Sequence, residues 1–247
     1  MPEAALAVEI AVQDLEGVRI ALGEGADRVE LCSALGVGGL TPSPGMIELA
    51  AELARQAARP DFVNVLVRPR AGGFVYSADE TEIVLRDIRQ LRELGAGGVV
   101  VGVLDERGRV DLETVTALRE AAGPLILTFH RAIDVAMHPA DAVARLAGSG
   151  VDRILTSGGA QHAVDGVATL HDFAQRAAGR IEIVAGGGVR TADVATLAAT
   201  GIGAVHLSAR RTVNGTPSGP GGGHPEYEVT DIDVVRSAVA AARSLRE

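Results

Sequence analysis

Eight short apolar runs recur along the chain, each followed by a helical stretch, and this alternation constrains the fold more than any other feature. The runs are Ala5 to Val12, Asp27 to Ser33, Phe62 to Pro69, Gly98 to Leu104, Leu125 to Arg131, Arg153 to Gly158, Ile181 to Val184 and Ala204 to Ala209. Their lengths, and the apolar–polar alternation of Asp27 to Ser33, suit strands. Asp14 opens the first helix, which runs to about Gly25, and Met46 to Ala58 is stopped by Arg59-Pro60. Ser77 and Glu80 have capping-box spacing ahead of a helix reaching Gly95. Asp111 to Ala122, Pro139 to Ala147, about His162 to Ala178, and Thr191 to Thr200 continue the series. A Gly/Pro-rich loop at about 212–225 precedes a last amphipathic helix, Asp231 to Leu245. Alternation of this kind implies a parallel sheet with right-handed crossovers. Eight units in 247 residues predict one α/β domain over 1–247, a (β/α)8 TIM-type barrel. No glycine fingerprint follows the first run, so no nucleotide cofactor is expected.

Composition narrows the chemistry. With no Trp, four Phe and two Tyr, the core has to be built from Ala, Val, Leu and Ile. A formal charge of −9 without any basic run argues against nucleic acid. All 23 basic residues are arginine. Schiff-base chemistry and pyridoxal phosphate, which need a lysine amine, are therefore closed to this chain. The single Cys32 precludes an internal disulfide and fits a reducing compartment. No signal peptide or membrane-length apolar run is apparent, so a cytoplasmic protein without a membrane partner is expected.

The strand candidates end on polar groups: Glu30 to Ser33, Arg68 to Arg70, His130 to Asp134, Thr156 to Gly158 and His206 to Arg210. In a barrel, alternate strand residues point inward, and ligands bind at the C-terminal rim. Parity then turns Glu9, Arg28, Glu30, Cys32, Asn64, Arg68, Thr128, His130, His206, Ser208 and Arg210 into the lumen. Burying such groups without partners costs roughly 2–7 kcal/mol each. They must form a self-satisfied network, or serve a ligand or metal.

Three chemistries compete for that lumen. An anion would use Gly187 and Gly188 after the seventh strand, Ser208 and Arg210 after the eighth, and Arg68, Arg70 and Arg131. A helix dipole beginning near Thr191 would add to it. A metal, Zn or Cu rather than Mg, could take Cys32, His130, His206 and Glu30 as mixed ligands. Acid–base catalysis could pair Glu9 or Glu30 with His130.

Several of these motifs together resemble the CutC copper homeostasis family. They are Asp27 to Cys32, the Gly39 to Pro42 turn, Arg68-Pro69-Arg70, Tyr76-Ser77, Thr128 to Asp134, Arg153 to Gly158, Gly186 to Val189 and His206 to Arg210. The resemblance is collinear over nearly the whole chain. It implies a TIM-type barrel, a cytoplasmic homodimer or higher homo-oligomer, and copper handling. A Cu(I) site proposed for the family uses two cysteines, on the first and second strands. Here these positions hold Ala11 and Cys32, so His130 or a second subunit would have to supply the other ligand. Gly73 stands where the family often has Asp. The remaining set, Glu30, Arg68, Arg70, His130, Arg131, Ser208 and Arg210, suits an enzyme or a non-catalytic binder of a small anionic or phosphorylated molecule.

Overall fold

A computed structural model describes residues 6–216, 219 and 225–245. Its strands are β1 (Ala7–Val12), β2 (Arg28–Leu31), β3 (Val63–Leu66), β4 (Gly98–Val101), β5 (Ile126–Phe129), β6 (Arg153–Thr156), β7 (Glu182–Gly186) and β8 (Ala204–Leu207). They pair in chain order, all parallel, and β8 closes on β1. The fold is a closed (β/α)8 barrel, as the alternation requires.

The helices begin where the sequence supplies caps. Asp14 accepts from Gly17 N at the start of α1 (Leu15–Gly23), and Ser43 accepts from Met46 N at α2 (Pro44–Gln56). Ser77 and Glu80 form the reciprocal capping box of α3 (Ala78–Leu94), and Asp111 caps α4 (Leu112–Ala122). α5 (Pro139–Leu146), α6 (Val167–Ala177), α7 (Val194–Ala198) and α8 (Ile232–Ser244) complete the ring. Each cap satisfies amide donors that the first helical turn leaves free.

Two departures bear on function. The expected helix over Thr191 to Thr200 is a 3-10 turn, Thr191–Asp193, followed by the five-residue α7. So short a helix, with the Asp193 carboxylate at its start, brings little dipole to the rim. The expected loop at 212–225 is also shorter at its first end. β9 (Arg210–Asn214) and β10 (Glu226–Thr230) form an antiparallel hairpin, with Thr212 opposite Glu228 and Asn214 opposite Glu226. Residues 217, 218 and 220–224 of that loop, like Ala5 of the first strand candidate, lie outside the described residues.

One continuous apolar layer lies between sheet and helices. Val8, Ile10, Val29, Leu31, Val63, Val65, Leu127, Phe129, Val205 and Leu207 belong to it. The lumen holds two separate small apolar clusters, Leu155–Val184–Ala204 and Cys32–Leu66–Val100. Among the described residues, no helix is long and apolar enough to cross a membrane.

Candidate functional site

The floor of the lumen is a paired network. Parallel register sets Glu9 beside Arg28 on β2 and beside His206 on β8. Arg28 Nε donates to Glu9 Oε2 at 2.7 Å, and its Nη2 donates to Glu182 at 3.2 Å. Arg153 donates to Glu182 at 2.8 Å and to Asn64 Oδ1 at 3.2 Å. Burial works to raise the Glu9 pKa, but Arg28 and His206 outweigh it and hold the carboxyl well below its usual range. Glu9 is therefore an ionised brace and does not line the cavity above it.

His206 joins the floor to that cavity. Its Nδ1 lies 2.7 Å from Glu9 Oε1, and its Nε2 lies 3.6 Å from Glu30 Oε2. Burial opposes its charge, yet the Glu9 hydrogen bond and the two carboxylates raise its pKa. Glu30 faces the cavity, and burial raises its pKa; the charge of His206 opposes this and that of Glu9 adds to it. Glu30 and His206 thus form a proton-holding pair set on the ionised Glu9.

The mouth opens as a cavity of about 720 Å³. Glu30, Cys32, Arg68, His130, Arg131, Gly187, Gly188, His206, Ser208 and Arg210 all line it, so most of the expected site residues converge. Arg70 does not. Its guanidinium is drawn to Glu80 at 2.5 Å and lies over Tyr76. Arg131 is held by Asp134 at 2.8 Å, and Arg210 by Glu228 at 2.6 Å.

Arg68 differs from these three. It is 7% exposed and has no carboxylate partner among the described residues. Carbonyl oxygens hold it instead: Val37 and Gly39 accept from Nη1 at 3.3 and 3.1 Å, and Gly72 accepts from Nη2 at 2.7 Å. Thr41 fastens this loop to β3, its hydroxyl accepting from Arg68 N at 3.0 Å. Arg68 also lies 5.3 Å above Phe74. Burial raises the Tyr76 pKa and the Arg68 charge partly offsets this, yet neither Tyr76 Oη nor Arg68 Nε has a partner at hydrogen-bonding distance.

His130 is the second unusual group. It is 6% exposed, and Ala132 N donates to its Nδ1 at 3.1 Å. Gly102 packs on that edge of the ring, where a Cβ would come within 2.2 Å of Nδ1 and Cε1. Its Nε2 is buried without a partner, as is Thr128 Oγ1. Burial and the Arg68 charge lower its pKa to about 3, so the imidazole is neutral.

The expected glycines bend the chain at the rim. Gly187 (φ +117°) and Gly188 (φ +61°) adopt backbone open to glycine, and a Cβ on Gly187 would lie 3.1 Å from Arg131. Thr156, the last residue of β6, and Ser157 after it hydrogen-bond to Asp134, which also accepts from Ser157 N and Gly159 N. Asp134 as an organising acceptor was foreshadowed by the polar run after β5. Phe74 and Arg190, which also line the cavity, carry no periodic signal and come from loops.

Burial and the Glu30 charge push the Cys32 pKa well above the usual value, so the unliganded side chain is a thiol. Among the described residues, no group of three or more His, Cys, Asp or Glu side chains is placed to hold a metal ion.

Comparison with known proteins identifies the scaffold. The CutC family model matches residues 6–211. The chain belongs to the CutC family. A family protein CutC from Xanthomonas campestris pv. campestris is 41% identical over 242 residues, covering 95% of this chain and 98% of the relative. A family protein CutC from Mesorhizobium japonicum is 39% identical over 248 residues, covering 96% and 94%. Among solved structures, a CutC described as a copper homeostasis protein, from Streptococcus agalactiae, superposes with a TM-score of 0.77 at 31% identity, covering 82% of this chain and 98% of that one. Thiamine phosphate pyrophosphorylase from Pyrococcus furiosus, at 14% identity and a TM-score of 0.62 over 99% and 98% of the two chains, shares the barrel with this CutC chain, and the likeness shows the fold alone.

Proposed function

We propose that this CutC-family barrel binds a small anionic metabolite at its mouth and moves a proton on it. The observation that carries the reading is the Arg68 guanidinium, buried and without a carboxylate beside a cavity. A buried charge is costly unless paired, and an anion in the cavity would pair it bidentately. Glu30 serves as acid and base; it lines the cavity, and burial raises its pKa. His206 holds the neighbouring charge steady, and Glu9 and Arg28 keep His206 in place.

Copper as cargo fits these residues poorly. Cu(I) favours thiolate or imidazole lone pairs. Cys32 is held as a thiol, Ala11 offers no second sulfur, and the Nδ1 atoms of His130 and His206 are already engaged. The name given to the Streptococcus agalactiae relative still makes copper the reading to test beside the anion.

Melting curves with inorganic phosphate, oxalate and citrate, for the wild type and Arg68→Gln, test the proposal. An anion at a hundred times its dissociation constant adds about 2.7 kcal/mol of stability. The wild type should gain it, and Arg68→Gln should not. Equal stabilisation of the two proteins, or none of either, overturns the anion reading. Anaerobic competition for Cu(I) against a chelator, with wild type and Cys32→Ser, tests the other. Tight binding lost in the variant would restore copper through Cys32.

A further inference from the structure

We propose that His130 donates a hydrogen bond from Nε2–H to the carbonyl oxygen of a small carbonyl-bearing anion, a 2-oxo acid or keto phosphate, while Glu30 takes the proton from the neighbouring carbon. The proposal rests on the anion reading above, and it names the substrate class and the reaction.

The tautomer follows from the backbone. Ala132 N–H points at Nδ1, which must accept and so carries no hydrogen. A neutral ring then holds its hydrogen on Nε2, the atom left without a partner in a residue lining the cavity. The ring cannot turn over to exchange its edges. Gly102 sits against Nδ1 and Cε1, and Phe74 covers the ring at 4.8 Å between centroids. The charges that act on it are Arg68 and Arg131, which disfavour the imidazolium, and Asp134, which opposes them. Nε2, holding the hydrogen, has no lone pair for a metal and cannot take up a proton. His130 is thereby a donor, where the strand-end pattern suggested an acid–base or ligand role.

A fixed neutral donor is suited to an oxygen that gains charge during reaction, because it need not reorganise or lose its proton. Glu30 stands on β2 and His130 just after β5, three strands apart around the ring, with Arg68, just after β3, between them. An anionic group on Arg68 leaves a carbonyl oxygen for His130 and a C–H for Glu30. In the step, a Glu30 oxygen forms an O–H bond as the C–H bond breaks. Its electron pair becomes the carbon–carbon double bond, and the carbonyl π pair moves to oxygen as an enolate held by Nε2–H. Return of the proton to the same carbon re-forms the carbonyl and restores the Glu30 carboxylate. No oxidant or reductant takes part.

The 247-residue chain labelled with 15N-histidine provides the test, with the His130 signals identified by their loss in His130→Gln. The expected spectrum has hydrogen on Nε2, bare Nδ1, and no titration between about pH 5 and pH 8. Adding oxalate, a planar mimic of the enolate, should shift the Nε2 proton downfield. Titration within that range, or hydrogen on Nδ1, overturns the proposal. If oxalate raises the melting temperature through Arg68 but leaves the Nε2 proton unmoved, the anion reading survives and this proposal falls. If oxalate does neither, both fall. Deuterium uptake from D2O into pyruvate and dihydroxyacetone phosphate tests the proton transfer. Wild type should exceed buffer for at least one of them, Glu30→Gln should not, and His130→Phe should be slower by roughly 100-fold. His130→Gln, which keeps an N–H donor, should recover part of the rate. Exchange no faster than buffer for both compounds overturns the proton-transfer half.

Discussion

The floor and the mouth of this barrel are built from the same residue types but follow opposite rules. On the floor, Glu9, Arg28, Glu182, Arg153 and Asn64 hydrogen-bond one another, so the buried charges compensate within the protein. At the mouth, Arg68 has only carbonyl partners, and His130 Nε2 has none. A self-satisfied network stabilises the closed sheet; an unsatisfied one leaves hydrogen-bonding capacity for something that enters. The lesson is that inward-facing polarity alone does not define a site. The missing partners do.

Changes on the floor should cost the most stability. Arg28→Met leaves the buried Glu9 carboxylate with His206 as its remaining charged partner, and breaking one side of a buried pair costs about 3–5 kcal/mol. Chemical denaturation should register that loss, whereas a loss below about 1 kcal/mol would show that the floor relaxes or admits water.

The two histidines should also give opposite pH slopes. His130 has a folded pKa of about 3 against an ordinary 6.5, so below pH 6.5 the unfolded chain binds a proton that the folded chain refuses. Its contribution therefore falls as the pH drops from about 6.5 to about 3, by about 5 kcal/mol in all. His206 has a raised pKa, so its contribution is full below the unfolded value and fades as pH rises through the folded one. Denaturation across pH, comparing wild type with His130→Gln and His206→Gln, should flatten the acid limb in the first variant and the neutral-to-alkaline limb in the second.

A smaller effect is expected from Gly102→Ala. The new methyl would meet the pinned imidazole, at a cost of about 1–3 kcal/mol for overpacking. It should also weaken oxalate-induced stabilisation, because the displaced ring carries Nε2 with it. An unchanged oxalate response, measured by thermal shift, would detach His130 from the ligand. The smallest change belongs to Arg70→Ala. Its guanidinium serves Glu80 outside the cavity, so the anion-dependent melting shift should stay at the wild-type value. A lost shift would bring Arg70 back into the site.

Much of this site was legible in residue order. Period-two alternation turned Glu9, Glu30, Cys32, Arg68, Thr128, His130 and His206 inward, and each is buried or lines the cavity. What alternation could not reveal was the partner of each group. Arg68, Arg70, Arg131 and Arg210 look equivalent as rim arginines, yet Glu80, Asp134 and Glu228 neutralise three of them. The β9–β10 hairpin was hidden by its Gly/Pro-rich connection, although Thr212 and Val213 are good strand residues. The length of α7 was hidden too, because the Asp193–Arg190 pair favours a 3-10 turn before it.

By itself, then, the sequence determined the eightfold βα alternation, the caps, and which strand residues enter the lumen. These are local properties, set by side-chain period and by hydrogen bonding within a few positions. Only the tertiary structure decided which charges meet. Glu9 lies 19 residues from Arg28 and 197 from His206; pairing of β1 with β2 puts the first beside it, and barrel closure puts the second there. The same closure left Arg68 without a carboxylate and its Nε, like His130 Nε2, without a protein partner, because unpaired hydrogen-bonding capacity depends on what every other strand brings to the rim.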